Sequence, residues 1–106
     1  MTAYIVVSAK VKPETGPQFE AAFRQVQAKV KGTPGHISDQ LLRDHEDPNR
    51  YILLGQWVSA EKFLEWEDAP VHKQTTTPMR EFWAGRVERT IYEIGVPGLA
   101  DGAAKS

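Results

Sequence analysis

Four residues in one short stretch, Gly55 to Lys73, carry most of the chemistry open to this chain. Trp57 stands near the end of an apolar run, Phe63 and Trp66 follow at helical spacing, and His72 comes six residues after Trp66. Aromatic rings spaced this way either fill a core or wall a cavity that holds another flat ring by stacking. An imidazole titrates near neutrality, so His72 could take a proton from a phenolic substrate. The plainer alternatives stay open: Trp66 as core packing, and His72 as a surface or partly buried histidine. Trp57 and Phe63 read as core. Phe82 and Trp83 follow in "MREFWAG", where a pocket lid would lie.

Other chemistries find no matching pattern. His36 and His45 are nine residues apart with no His-x-x-x-His or His-x-Glu spacing, so no metal site is expected. The 106 residues contain no cysteine, which removes disulfides, thiolate zinc, iron–sulfur clusters and thiol nucleophiles. Ser59 reads as a helix cap, and neither a Gly-x-Ser-x-Gly elbow nor a dinucleotide fingerprint occurs. A net charge of −1 disfavours phosphate-backbone binding. A ferredoxin-like sheet can stack RNA bases, but "RYILLGQWV" lacks the basic and aromatic motif this needs. The runs "YIVV" and "YILLG" are too short to span a bilayer. The start "MTAYIVVSAKVK" lacks the marks of a secretory leader, so the expected location is cytoplasmic.

The elements that would position these residues follow from periodicity. "AYIVVSAKVK" (3–12) is β-branched and aromatic, hence a strand closed by Pro13. "TGPQ" (15–18) has capping-box spacing and opens a helix. Its stripe runs Phe19, Ala22, Phe23, Val26, Val30 and stops before "GTPG". "HISDQLLRD" (36–44) and "RYILLGQWV" (50–58) form a hairpin around "HEDPN". Ser59 caps a second helix that ends or kinks at "DAP". Residues 71–85 read as a less regular segment, helical or loop, broken near Pro78, and "RVERTIYEIG" (86–95) is the last strand. Residues 1–95 form one domain, and 96–106 are expected to be a flexible tail.

The order β-α-β-β-α-β predicts an α+β, ferredoxin-like fold, with two helices on one face of a four-stranded antiparallel sheet. The first strand places Ala3, Ile5, Val7, Ala9 and Val11 on one face and Tyr4, Val6 and Ser8 on the other, so its first half is apolar on both sides. The third strand repeats this, with Tyr51, Leu53 and Trp57 opposite Ile52, Leu54 and Val58. Two helices cover one face only. Apolar surface is worth about 25 cal/mol per Å² when buried, so the second face predicts a two-fold homodimer with sheet packed on sheet.

The pattern "TPGHISDQLLRD…YILLGQWVSAEKFLEW…PVHK" resembles the antibiotic biosynthesis monooxygenase family. A Pro-Gly turn opens the second strand, the third ends in Trp-x-Ser, and the next helix has the form Glu-x-Phe-x-x-Trp. The resemblance implies a dimeric α+β barrel, without nucleic acid or membrane partners, that binds a small aromatic ligand. It implies a cofactor-free oxygenase acting on an anthrone, phenol or quinol. Trp66 and His72 would be the catalytic pair, and Val7, Phe23, Trp66, Phe82 and Trp83 would hold the substrate. Members that degrade haem carry an asparagine and a ligand histidine at positions that here hold Val7 and Thr75. Haem is therefore the less favoured cofactor, beside a third reading as a non-enzymatic barrel.

Overall fold

The computed structural model describes residues 1–99. Its order is β1 (Ala3–Lys10), α1 (Gly16–Val30), β2 (His36–Arg43), β3 (Arg50–Trp57), α2 (Ala60–Asp68), α3 (Pro70–Arg80) and β4 (Glu88–Glu93). The strands form one antiparallel sheet in the order β2-β3-β1-β4, the ferredoxin-like arrangement. Among the described residues no helix is long and apolar enough to cross a membrane.

Central β1 sets the frame. Ile5 pairs with Gly55 on one side and Ile91 on the other, and Val7 pairs with Leu53 and Arg89. The face carrying Ala3, Ile5, Ala9, Tyr51 and Trp57 is buried under the helices. α1 lays Phe19, Ala22, Phe23, Val26 and Val30 onto it, the stripe that its spacing predicts. Among the described residues no helix covers the other face. The register places Tyr4, Val6, Leu42, Ile52, Leu54 and Tyr92 there, and Leu42 and Tyr92 are 45% and 56% exposed.

Local signals hold in part. Ser59 caps α2 as expected, its hydroxyl accepting from the Lys62 N–H at 3.2 Å. The capping box at Thr15 does not form. The Thr15 hydroxyl turns back and donates to the Lys12 carbonyl at 2.6 Å, so it closes the preceding turn instead. Strand β1 is two residues shorter than expected. Beyond Lys10 the chain bonds to the segment after α3, Lys12 N–H to Phe82 O at 2.9 Å and Ala84 N–H to Lys10 O at 2.8 Å. Trp83 is thus fixed against the end of β1 and is not carried by a loose lid. β4 is also shorter than the expected 86–95.

The segment expected to be less regular, helical or loop, is helical up to Arg80. Pro70 suits its first turn, where the missing N–H has no helical partner. Pro78 falls in the last turn, where few helical bonds follow it. Thr76 and Thr77 donate to the His72 and Lys73 carbonyls at 3.0 and 2.6 Å, tying side chains into the turn before the proline. Of the expected tail, Val96 and Leu99 are exposed, and residues 100–106 lie outside the described residues.

Candidate functional site

Between α1, α2, α3 and the covered sheet face lies a cavity of about 170 Å³, open on one side. Its lining is mainly apolar: Ile5 and Val7 from β1, Phe23 and Val26 from α1, and Trp57, Phe63 and Trp66 at one end. The aromatic end is continuous. Trp57 packs on Phe63 at 5.6 Å and on Trp66 at 5.5 Å between ring centroids, and Trp66 meets the His72 ring edge to face at 4.5 Å. These separations are those of favourable aromatic pairs.

Trp66 and His72 belong to different helices. The break at Ala69 separates α2 from α3, and this bend brings the imidazole back over the indole. Burial holds the His72 pKa below the ordinary histidine value, with the Arg80 guanidinium acting in the same direction and the Glu67 carboxylate opposing both. The ring is therefore neutral at physiological pH and able to accept a proton.

Two arginines approach the cavity and both are engaged. Arg89 holds Glu67 in a bidentate pair at 3.0 and 2.6 Å, and its guanidinium lies over the Phe63 ring at 5.8 Å. Arg80 donates to the Thr76 hydroxyl and covers the Trp83 ring at 5.3 Å. These pairs fix the rim and leave the interior apolar.

Of the residues expected to form a site, Val7, Phe23, Trp66, His72 and Trp83 all line the cavity. Phe82 does not. Its ring meets Phe19 edge-on at 6.4 Å and packs against the core, because the bonds to β1 turn this part of the chain inward. Trp57 and Phe63, read as core, are core residues that also border the cavity.

Sequence reasoning missed polar groups of the sheet that line the cavity, Arg89 on β4 and Asp39 on β2. Asp39 lines the cavity from β2, and His36 Nε2 lies 2.7 Å from its Oδ2. The two side chains are only 13% and 10% exposed. Burial raises the Asp39 pKa above the ordinary aspartate value, and the His36 contact opposes that rise. On a regular strand residues three apart face opposite ways. Here a β-bulge lies between His36 and Ser38, so that His36 pairs with Trp57 and Asp39 with Gly55. The bulge puts both side chains on the covered face. No signal in the sequence marks it. Among the described residues no group of three or more histidine, aspartate or glutamate side chains is placed to hold a metal ion.

A small α+β domain with an aromatic cavity between sheet and helices defines a ligand-binding class rather than one protein. The family model for antibiotic biosynthesis monooxygenase matches residues 2–77, and the chain belongs to that family. It is 28% identical over 81 residues to protein SchA of Streptomyces halstedii, which covers 76% of this chain and 21% of SchA. The chain thus spans about a fifth of the length of that relative. It is 33% identical over 61 residues to a mycobilin-producing heme oxygenase of Mycobacterium tuberculosis, 58% of each chain. The fold superposes on SnoaB, a cofactor-independent oxygenase from Streptomyces nogalater, with a TM-score of 0.78 and 20% identity over 91% of this chain and 95% of SnoaB.

Proposed function

We propose that the domain is a small oxygenase that works without a bound redox cofactor on an electron-rich aromatic substrate, a polyketide anthrone or phenol, or a quinol. The observation that carries this reading is the aromatic cavity with the His72 imidazole in its wall, 4.5 Å from the Trp66 ring. A flat substrate stacks against Trp66, with Val7, Phe23 and Trp83 closing around it. His72 accepts the proton from an activated C–H or O–H, and the substrate anion supplies the electrons that reduce dioxygen. For an anthrone, the CH₂ carbon gains one oxygen atom as a ketone and the second leaves as water. The apolar surroundings leave the anion poorly solvated and hence a better reductant.

Cavity size supports an aromatic ligand of limited bulk. A space of about 170 Å³ is close to the roughly 150 Å³ cavity known to hold benzene. One ring fits inside, and a fused ring system extends through the open side. Oxygen uptake with a panel of anthrones, naphthols and quinols tests the reading. Turnover above a heat-treated control is expected, with loss in His72→Ala. No uptake across the panel would sink the oxygenase assignment.

The heme oxygenase relative gives a specific ground for a second reading, in which the cavity takes haem. Against it stand Val7 and Thr75 at the positions that the family resemblance assigns to the asparagine and the ligand histidine. Thr75 is buried in α3, and the cavity is far smaller than a porphyrin. Titration with haem should give no sharp Soret band at one equivalent and no breakdown with a reductant. Tight one-to-one binding that disappears in His72→Ala would reverse this choice and give His72 the ligand role.

The assembly belongs to the same reading: a two-fold homodimer through the uncovered sheet face. Tyr4, Val6, Ile52 and Leu54 form an apolar centre there, with Leu42 and Tyr92 on the flanking strands. Light scattering at micromolar concentration should give twice the 11.9 kDa chain mass. A charge at the centre, as in Leu54→Lys, should shift the population to monomer while the circular dichroism of the fold is kept. A wild-type monomer would remove the basis of the closed barrel.

A further inference from the structure

The covered face of the sheet has a break in its apolar surface at Gly55. Gly55 presents bare backbone to the cavity, and two polar atoms stand over it. Asp39 Oδ1 is 2.9 Å, and Trp57 Nε1 is 3.6 Å, from the point where a Cβ at Gly55 would lie. Any larger residue at position 55 would displace the carboxylate. The other carboxylate oxygen, Oδ2, is engaged by His36 Nε2 at 2.7 Å, and the His36 ring is itself packed edge to face on Trp57 at 5.2 Å. Gln27 donates to the Asp39 main-chain carbonyl at 3.1 Å, which fixes the backbone beneath. An acceptor and a donor thus both border one point on the cavity wall, with the Ile5 Cβ also 3.6 Å from it. A largely buried carboxylate with one oxygen facing the cavity favours a ligand that brings a donor to it.

We infer that this spot above Gly55 is the seat of a ligand hydroxyl, which donates to Asp39 and accepts from the Trp57 indole N–H. A hydroxyl is the simplest group that does both at one atom. The ligand is then a hydroxylated aromatic that enters hydroxyl-first toward the sheet, with its ring against Trp66. Asp39 is a specificity-determining residue, and His36 is a positioning residue that acts through it. Selection against an analogue without the hydroxyl follows, because such an analogue leaves both buried polar atoms unpaired. This deepens the proposed function and rests on the cavity being an aromatic site.

The experiment compares 1-naphthol with 1-methylnaphthalene, in which a methyl group of similar size replaces the hydroxyl. Calorimetric titration of the full chain should show naphthol bound at least about tenfold more tightly. In Asp39→Ala that preference should vanish, because naphthol loses its acceptor and methylnaphthalene no longer leaves a carboxylate unpaired. In His36→Ala it should shrink, and His36→Gln should restore part of it by keeping a donor near Oδ2. The wild-type protein gives a second readout that needs no variant to fold. The Trp57 Nε1–H proton resonance should move downfield with naphthol and not with methylnaphthalene. Equal affinities for the two probes, a preference that survives Asp39→Ala, or an indole resonance blind to the hydroxyl would overturn the inference and leave the aromatic site standing. Failure of both probes to bind would remove the aromatic site and the inference together.

Discussion

Trp57→Ala should lower the folding free energy by about 3–5 kcal/mol, against a total of roughly 5–15 kcal/mol for a domain of this kind. The indole is 2% exposed and is wedged between Phe63, Trp66 and His36 at centroid distances of 5.6, 5.5 and 5.2 Å. Truncation removes all three contacts and enlarges a cavity that is already present, so the neighbours have little to relax against. The neighbouring indole should behave differently. Trp66 is only partly buried and faces the cavity, so Trp66→Phe should keep the fold and weaken an aromatic ligand about tenfold through poorer stacking. Urea midpoints and ligand titrations on both variants separate the two roles. If Trp66→Phe loses about 1–3 kcal/mol of stability while activity per folded molecule stays unchanged, Trp66 is core and the pocket-wall role falls.

Gly35→Ala should cost about 2–5 kcal/mol. Gly35 has φ of 89°, in the left-handed region where an L side chain is strained. A Cβ there would also lie 2.6 Å from Lys62 Cβ and 3.3 Å from Val58 Cγ2. Lys62 Cβ is tied to the α2 backbone and has no freedom to swing aside. The Gly35 carbonyl meanwhile accepts from the Val58 N–H at 2.8 Å, so the turn is pinned from the β3 side as well. Gly32 is the internal comparison. Its φ is 90°, but no atom lies within 4 Å of its Cβ position. Gly32→Ala should therefore show the backbone cost alone, about 1–2 kcal/mol. Thermal melts of the two variants decide the matter. Equal losses would mean that the contact with α2 is relieved by a small shift and carries no weight.

The sheet and α1 were legible because their periods are clean. The two-residue alternation of β1 and β3 and the three- and four-residue steps of α1 each correspond to one face that ends buried. α3 was only half legible, left open between helix and loop, because Thr75, Thr76, Thr77 and Pro78 oppose a helix as isolated residues. What overrides them is tertiary: Thr75, Thr76 and Met79 are buried against the rest of the domain. The aromatic half of the site was legible from residue type and spacing. The polar half was not, because it depends on a bulge that reverses the facing of one end of β2. Phe82 was misplaced for a related reason. Main-chain bonds between the chain after α3 and the end of β1 have no side-chain signature.

Ala69 terminates α2 and also caps α3, with φ of −73° and ψ of 142°. A single extended residue thus joins two helices, and its two torsions fix the angle between them. The next residue is Pro70, whose ring disfavours helical values of ψ at the residue before it. The joint is consequently stiff, since one of its two torsions is restricted by the covalent structure of the following residue. Trp66 and His72 ride on opposite arms of this bracket, three residues to either side of Ala69. Their 4.5 Å contact is governed by the Ala-Pro dipeptide that lies between them in the chain. Widening the gap for a thicker ligand then means a bond rotation at this joint, which carries α3 and its buried Thr75, Thr76 and Met79 with it.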